Sequence, residues 1–442
     1  MSRVSRSEIL RSLPPDLQPL VEEGLRVARR RKLEVYLVGG PVRDFLLRRP
    51  IRDVDLAVAG TAGEGRPAAV LAREIAPEGT KVIEHERFGT VSLDGVLDLA
   101  GARRETYARP GALPRVEPGS LEEDLQRRDF SVNAFAVPLT GPEDEDRIDV
   151  IEVEGGLRDL EGRQLRVLHR RSFHDDPTRA LRAARLAPRL GFALTRGSRS
   201  ALRDALRDGV FGAVSGDRLR REFEKLFHDA VLGLNPVDAL RRLADWHVLT
   251  ALEPGLGLPH EAVVPLRRLG RAVESPPWRG PRLRPWVAGL AVWLGPLPPA
   301  LRRRTLRRFA VRGELAVRIT GFPRWRDTRL KALESARGRG AVDAALADAD
   351  EERLTALYAW SPTPVRRKIL RWAAEDRSRR SPVTGADLVG VGLSGPAVGR
   401  ALARIRASYL DGVLANREEA VALAREIGRR RSRARSRRRT RI

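Results

Sequence analysis

Residues Val35–Gly60, VYLVGGPVRDFLLRRPIRDVDLAVAG, carry the pattern that decides the fold. The apolar run Val35-Tyr36-Leu37-Val38 has the composition of a buried strand. Gly39-Gly40 follow, and two glycines after a strand let backbone N–H groups come close to a phosphate. Pro41 predicts the start of a helix with Val42, Phe45 and Leu46 on one side and Arg43 facing a ligand; Arg49-Pro50 ends it. Alternation in Asp53-Val54-Asp55-Leu56-Ala57-Val58 then sets Asp53 and Asp55 on one face of a second strand, with Val54 and Leu56 in the core. Adjacent carboxylates repel unless positive charge lies between them. A divalent ion relieves that repulsion, and an oxygen-only donor set suits Mg²⁺. Each piece has a plain reading, the glycines as a turn and D-x-D as a solvated strand face. Their conjunction within 26 residues describes a site that holds a nucleoside triphosphate and two metal ions for in-line phosphoryl chemistry.

Leu37–Asp55, LVGGPVRDFLLRRPIRDVD, resembles the signature of the class II tRNA nucleotidyltransferases and bacterial poly(A) polymerases, within the polymerase-β-like superfamily. Arg48 stands where that family often has Gly. The resemblance implies an α+β chain. Its nucleotidyltransferase head, residues 1–150, has a mixed or antiparallel sheet. An all-helical neck (151–232), body (233–320) and tail (321–428) follow, then a disordered Arg-rich end (429–442).

Charge is the strongest global property. The 442 residues carry a formal +25, with a pI near 11.4, which implies a polyanionic partner such as nucleic acid. Nine arginines lie in RRRSRARSRRRTRI at 429–442, which reads as a nonspecific RNA tether; the remainder still carries +16. The absence of cysteine excludes disulfides and Cys-ligated zinc. There is no apolar run of membrane-spanning length, and the N-terminus lacks a signal-peptide core, so a cytoplasmic location without a membrane partner is expected.

Beyond Gly60, Ala68–Ile75 reads as a helix, and Lys81–Ile83, Phe88–Leu93 and Val96–Ala100 read as strands. The last sets Asp98 between apolar neighbours. A polymerase-like site calls for a third strand carboxylate facing Asp53 and Asp55; Asp98 either fills that place or pairs with a nearby arginine. Arg103–Asp124, RRETYARPGALPRVEPGSLEED, reads as a long Pro/Gly-rich loop. It resembles the mobile loop with which the family reshapes its pocket between CTP and ATP, and which enzymes adding only C tend to lack. Arg127–Ala134, RRDFSVNA, resembles the family's second motif. Arg128 is a candidate for triphosphate or ribose, and Asp129 and Asn133 for holding loop and sugar; the plain alternative is a capped helix start.

In Asp175–Leu186, DDPTRALRAARL, Asp176 and Pro177 open a helix, and Arg179, Arg182 and Arg185 form a basic stripe that solvation alone would explain. In the resembling family such a stretch serves as a protein template. That resemblance makes Asp176 and Arg179 the base readers, and sets Arg182 and Arg185 nearer the phosphates. A carboxylate accepts from an exocyclic amine while a guanidinium donates to ring nitrogen and carbonyl, which selects C or A. Ser215–Phe227 resembles the last family motif, with Asp217 for Glu, and is expected to brace the neck. His174-Asp175 and His228-Asp229 raise a rival, an HD-type metal phosphohydrolase. Thr384–Arg400 resembles the family tail, as a helix-hairpin-helix element or an ordinary helical turn.

The resemblance thus implies template-independent addition of CCA to tRNA 3′ ends from CTP and ATP. It makes Asp53, Asp55 and Asp98 the catalytic carboxylates, places Mg²⁺ on Asp53 and Asp55, and sets Gly39, Gly40, Arg43, Arg128, Asp176, Arg179, Arg182 and Arg185 around the nucleotide. The alternatives are an A-adding or CC-adding enzyme, a poly(A) polymerase, and an RNA-binding protein without catalysis.

Overall fold

The computed structural model describes residues 2–60, 66–85, 89–94, 97–142, 144–278 and 283–439. Phe88 and Val96, the first residues of two predicted strands, and 440–442 of the Arg-rich end lie outside them. The chain divides into two compact units, Met1–Arg218 with Asp245–Leu252, and Leu219–Ala244 with Glu253–Ile442.

The first unit is built on a seven-stranded sheet. Its strands are β1 (Glu34–Val38), β2 (Val54–Ala59), β3 (Val82–His85), β4 (Thr90–Leu93), β5 (Leu97–Gly101), β8 (Phe135–Pro138) and β9 (Ile151–Glu152), in the order β9-β8-β1-β2-β5-β4-β3. Only β2 and β5 run parallel; the other pairs are antiparallel, so the sheet is mixed, as expected. Alternation divides its faces. Val54, Leu56 and Val58 of β2, Val91 and Leu93 of β4, and Leu97 and Leu99 of β5 are buried. Helix α3 (Pro67–Ile75) packs on these strands and α1 (Gln18–Arg31) packs on α3. Asp55 and Asp98 point to the opposite face, because they are direct partners in the parallel register.

The long loop expected at 103–124 is instead ordered. Strands β6 (Arg103–Thr106) and β7 (Arg115–Pro118) form an antiparallel hairpin, followed by α4 (Leu121–Gln126). Arg104 bridges to Glu117 at 2.9 Å across the hairpin, and Ser120 with Glu123 makes a capping box that starts α4. Helix α2 (Gly40–Leu46) follows β1, and α5 (Thr178–Leu190) is the Asp-Pro helix; Pro188 falls in its last turn and the helix runs on to Leu190.

The second unit is helical. Phe223, Trp293 and Phe309 stack with ring centroids 4.5–6.3 Å apart, and the helix Pro285–Leu294 approaches Phe227 so closely that a Cβ on Gly289 would lie 2.3 Å from its ring. The helix Gly313–Ser335 is continuous through residue 320, where body and tail were expected to part. The helix Arg417–Arg439 has Ala420 and Ala424 of its first turns buried in a core. No helix among the described residues is long and apolar enough to cross a membrane.

Candidate active site

The site grows from the β1–α2 turn. Gly39 has φ +76°, so its backbone requires glycine, and a Cβ there would also lie 2.6 Å from Arg128 Nη1 and push that guanidinium aside. Gly40 opens α2 and lines a cleft of about 440 Å³. Arg43 also lines this cleft, but it does not reach out freely: it is 4% exposed, donates to Asp44 Oδ1 at 2.7 Å, and bonds Asn133 Oδ1.

Seven arginines line the cleft, Arg103 and Arg127 among them, with Asp55, Glu105, Asp129 and Asp176 as the carboxylates facing them. Burial, with Asp98 and Asp53 beside it, pushes the Asp55 carboxyl up to about 6, although Arg128 pulls the other way. Asp53 itself precedes β2, is exposed, and stands outside the residues lining the cleft. Asp98 lies beside Asp55 in register and lines an adjoining groove. Asp129 accepts from Phe130 N, Asn133 Nδ2 and Arg182 Nε at 2.9–3.0 Å.

Asp176 is buried and accepts four hydrogen bonds, three of them on one oxygen. Its Oδ1 accepts from Thr178 N, Thr178 Oγ1 and Arg218 Nη2, and its Oδ2 from Arg182 Nη2 at 3.1 Å. Burial pushes its carboxyl up, and Arg182 and Arg218 outweigh that, so it lies well below the ordinary carboxylate range. Arg179 donates to Ser172 Oγ and to the Arg127 carbonyl, and also lines the cleft. Arg185 stands outside the lining residues.

Sequence reasoning missed Arg103, Glu105, Tyr107, Arg127 and Arg218, which complete the cleft. The signal was present in the alternation Arg103-x-Glu105-x-Tyr107, which puts the three on one side of an extended segment. Tyr107 Oη donates to Glu105 Oε2 at 2.8 Å, and burial and that carboxylate push the phenol up. Arg218 joins Asp176 to the Gly111 carbonyl, so the last motif reaches the cleft rather than only bracing the neck.

Asp124 ties these parts together. It is 1% exposed, and its Oδ1 takes Arg127 Nε and Nη2 at 3.0 and 2.6 Å while its Oδ2 takes Arg128 Nη2 at 2.9 Å. Arg127 continues to Glu105 at 3.1 Å. Asp124→Asn keeps the shape but takes the shared anion from Arg128 and leaves Arg127 with Glu105 alone. Roughly a tenfold rise in nucleotide KM is expected, with a stability loss of about 3 kcal/mol and partial rescue by Asp124→Glu; an unchanged KM in steady-state kinetics would refute the role.

The HD pairs do not assemble into a phosphohydrolase centre. His174 Nε2 lies 2.8 Å from Asp208 Oδ2, and among the described residues no three His, Asp or Glu side chains are arranged to hold a metal ion.

A family model described as the poly(A) polymerase head domain matches residues 35–166. The chain is 30% identical over 441 residues to an A-adding tRNA nucleotidyltransferase of Halalkalibacterium halodurans, covering 94% of each. It is 39% identical over 283 residues to a CC-adding tRNA nucleotidyltransferase of Deinococcus radiodurans, 62% of this chain and 70% of that protein. An A-adding tRNA nucleotidyltransferase of Aquifex aeolicus is 41% identical over 246 residues, 49% of this chain; the chain spans only 29% of that relative's length. The solved Thermotoga maritima CCA-adding enzyme complexed with tRNA is 27% identical, with a TM-score of 0.68 over 96% of this chain and 98% of that one. With a head of this topology, its motifs gathered on one cleft, and likeness running the length of a relative, the chain belongs to the family of tRNA nucleotidyltransferases that carry a poly(A) polymerase head.

Proposed function

We propose that the protein extends tRNA 3′ ends by nucleotidyl transfer from CTP and ATP, building the CCA terminus in the cytoplasm. The observation that carries this reading is a single cleft joining Asp55 and Arg128 to Asp176, Arg179 and Arg182. The arginines suit a triphosphate, and a buried carboxylate beside guanidiniums suits the edge of a base with an exocyclic amine. Asp176 Oδ1 is filled by Thr178 and Arg218, so an incoming amine would meet Oδ2, which accepts from Arg182 and has a lone pair left. In the transfer, a bond forms between the RNA 3′-oxygen and the α-phosphorus. The bond to the α,β-bridging oxygen breaks, pyrophosphate leaves with that electron pair, and the hydroxyl proton passes to solvent.

Asp55 and Asp98, side by side in the parallel register, would offer Mg²⁺ the carboxylate oxygens it prefers, with Asp53 exposed just before β2 and no three carboxylates of the described residues gathered into a preformed site; burial first, then Asp98 and Asp53, raises Asp55. When bound, the metal neutralises developing charge on the phosphates and acidifies the attacking hydroxyl. Proton and metal compete for Asp55. The Mg²⁺ concentration for half-maximal activity should therefore stay flat above about pH 7 and rise toward tenfold per unit below pH 6, the value to which Asp55 is pushed. A flat dependence down to pH 5 in a magnesium titration would remove Asp55 as a ligand.

The deciding experiment incubates tRNA ending at the discriminator base, at C and at CC with CTP, ATP or both, and reads product lengths on a gel. Extension of all three to CCA is expected. The full-length likeness to an A-adding relative favours a second reading, in which only the CC form gains one A. Ladders of A on any RNA would mean a poly(A) polymerase, and no extension would overturn catalysis altogether.

A further inference from the structure

Helices α2 and α5 both start at the arginine cleft. Gly40, the first residue of α2, lines it, as do Asp176, just before α5, and Arg179 and Arg182 on that helix. Seven residues make α2 about 10 Å long, and thirteen make α5 about 20 Å long. At their other ends the two helices are joined by side chains that stand outside the cleft lining. Asp44 of α2 takes Arg43 Nη2 on Oδ1 at 2.7 Å and faces Arg189 of α5 with Oδ2 at 3.7 Å. Arg49 Nη1 donates to Arg189 O at 2.8 Å, and its Nη2 to Leu190 O at 3.2 Å.

The turn that delivers Arg49 is strained. Arg48 has φ +53°, a left-handed backbone that residues other than glycine adopt rarely, and it stands where the resembling family often has Gly. Arg48 N reaches Phe45 O at 2.9 Å and Arg49 N reaches Asp44 O at 2.8 Å, so the chain doubles back on α2 and Arg49 is aimed at α5. At the end of α5, Gly191 N and Phe192 N both bond Ala187 O, and Arg49 adds a donor for Arg189 O and Leu190 O. A cation there also meets the negative end of the helix dipole. Arg49 is exposed and lies outside the cleft lining, so it acts through the helices and not on a ligand.

We propose that Arg49 is a positioning residue. By tying the end of α2 to the end of α5, it fixes the separation between the glycine turn, which meets the triphosphate, and the Asp176–Arg179 pair, which meets the base. The proposal rests on the nucleotidyltransferase reading above and adds to it what holds the two halves of the nucleotide seat in register. A helix moves as a rod, so slack at Leu190 changes the tilt of α5 and the placing of Arg179, about three turns away. Only a ligand that spans both halves feels that change. ATP and CTP span them; inorganic tripolyphosphate needs the glycine turn alone.

The test titrates the full chain calorimetrically with ATP, CTP and tripolyphosphate, each with Mg²⁺ and without RNA. Folding of each variant is checked by circular dichroism and melting temperature. For Arg49→Ala we expect Kd for ATP and CTP to rise about fivefold, less than two full hydrogen bonds because the donor is exposed, while Kd for tripolyphosphate stays within twofold. Arg49→Lys, whose ammonium cannot span both carbonyls as a fork does, should fall between Arg49→Ala and wild type. Arg48→Gly keeps the turn and should leave all three constants within twofold. A residue that only stabilises the fold would leave all three unchanged in folded Arg49→Ala, and a general loosening would weaken all three alike. Either result overturns the tie, as does a loss in Arg48→Gly equal to that in Arg49→Ala. Wild-type protein is also given tRNA ending in CC with ATP. If ATP and tripolyphosphate part as expected but tRNA is not extended, the tie stands and the transfer reading falls. If tRNA is extended and they do not part, the reverse holds.

Discussion

Asp55→Asn is expected to abolish nucleotidyl transfer while making the protein more stable at neutral pH. Asparagine keeps the shape of the side chain on β2 but cannot carry charge. The loss in kcat should be roughly a thousandfold or more, the scale of removing a charge on which transition-state stabilisation depends. The gain in stability comes from the same environment. Burial, Asp98 and Asp53 push Asp55 up to about 6, so the folded chain holds its proton more tightly than the unfolded chain does. That penalty is absent below about pH 4, grows as pH rises toward 6, and is complete above it, where it amounts to about 2–3 kcal/mol. Asp55→Asn removes it. Calorimetry should therefore show a higher melting temperature than wild type at pH 7.5 and no difference at pH 4. A carboxylate held only for packing would give the opposite pair, activity kept and stability lost. More than a tenth of wild-type kcat in the variant would end the catalytic assignment.

The head was legible because its signals are local. Period-two alternation in 54–58 sets Asp55 outward and Val54 inward whatever lies around them, and Gly39 marks a turn that only glycine fits. What stayed hidden is the choice of partner among many arginines, which is a long-range matter. Arg43 reads from its helix as free to meet a ligand, yet Asp44 and Asn133 hold it. Arg218 reads as a helix brace, yet Asp176 lies 42 positions earlier and accepts from it. Asp53 and Asp55 belong to one strand face by spacing, but the strand begins only at Val54 and Asp53 is left exposed before it. The segment 103–124 misled for another reason. Its glycines and prolines suggest a loop, while cross-strand pairing of Arg104 with Glu117 and the Ser120–Glu123 cap order it. In a chain this rich in arginine, ion pairs decide local structure that apolar periodicity decides elsewhere.

Arg302→Ala is expected to cost the helical unit about 3–5 kcal/mol, the upper range for a single substitution. The residue is only 6% exposed, and no apolar pattern would place an arginine there. Its guanidinium acts as a clamp on backbone carbonyls. Nε donates to Leu294 O at 3.2 Å, Nη1 to Thr320 O at 2.6 Å, and Nη2 to Gly295 O and Leu297 O at 2.8 and 2.9 Å. Leu294 ends the helix Pro285–Leu294, so the cation sits where that helix turns its unpaired carbonyls and negative dipole end outward. Thr320 belongs to the helix Gly313–Ser335, so one side chain joins two helices and the turn between 294 and 298. Truncation removes a donor from four carbonyls; Leu294 O keeps Leu297 N, and each carbonyl left without a partner and out of reach of water costs about 1–3 kcal/mol. Arg302→Lys should recover less than half of the loss, because an ammonium has three donors around one atom and cannot span carbonyls on both sides of a planar fork. Six of the seven tryptophans lie in this unit, so intrinsic fluorescence during urea unfolding follows it directly. The midpoint should fall with little change in slope. A loss below 1 kcal/mol for Arg302→Ala, or full recovery by lysine, would show that the carbonyls find other donors and that the clamp is dispensable.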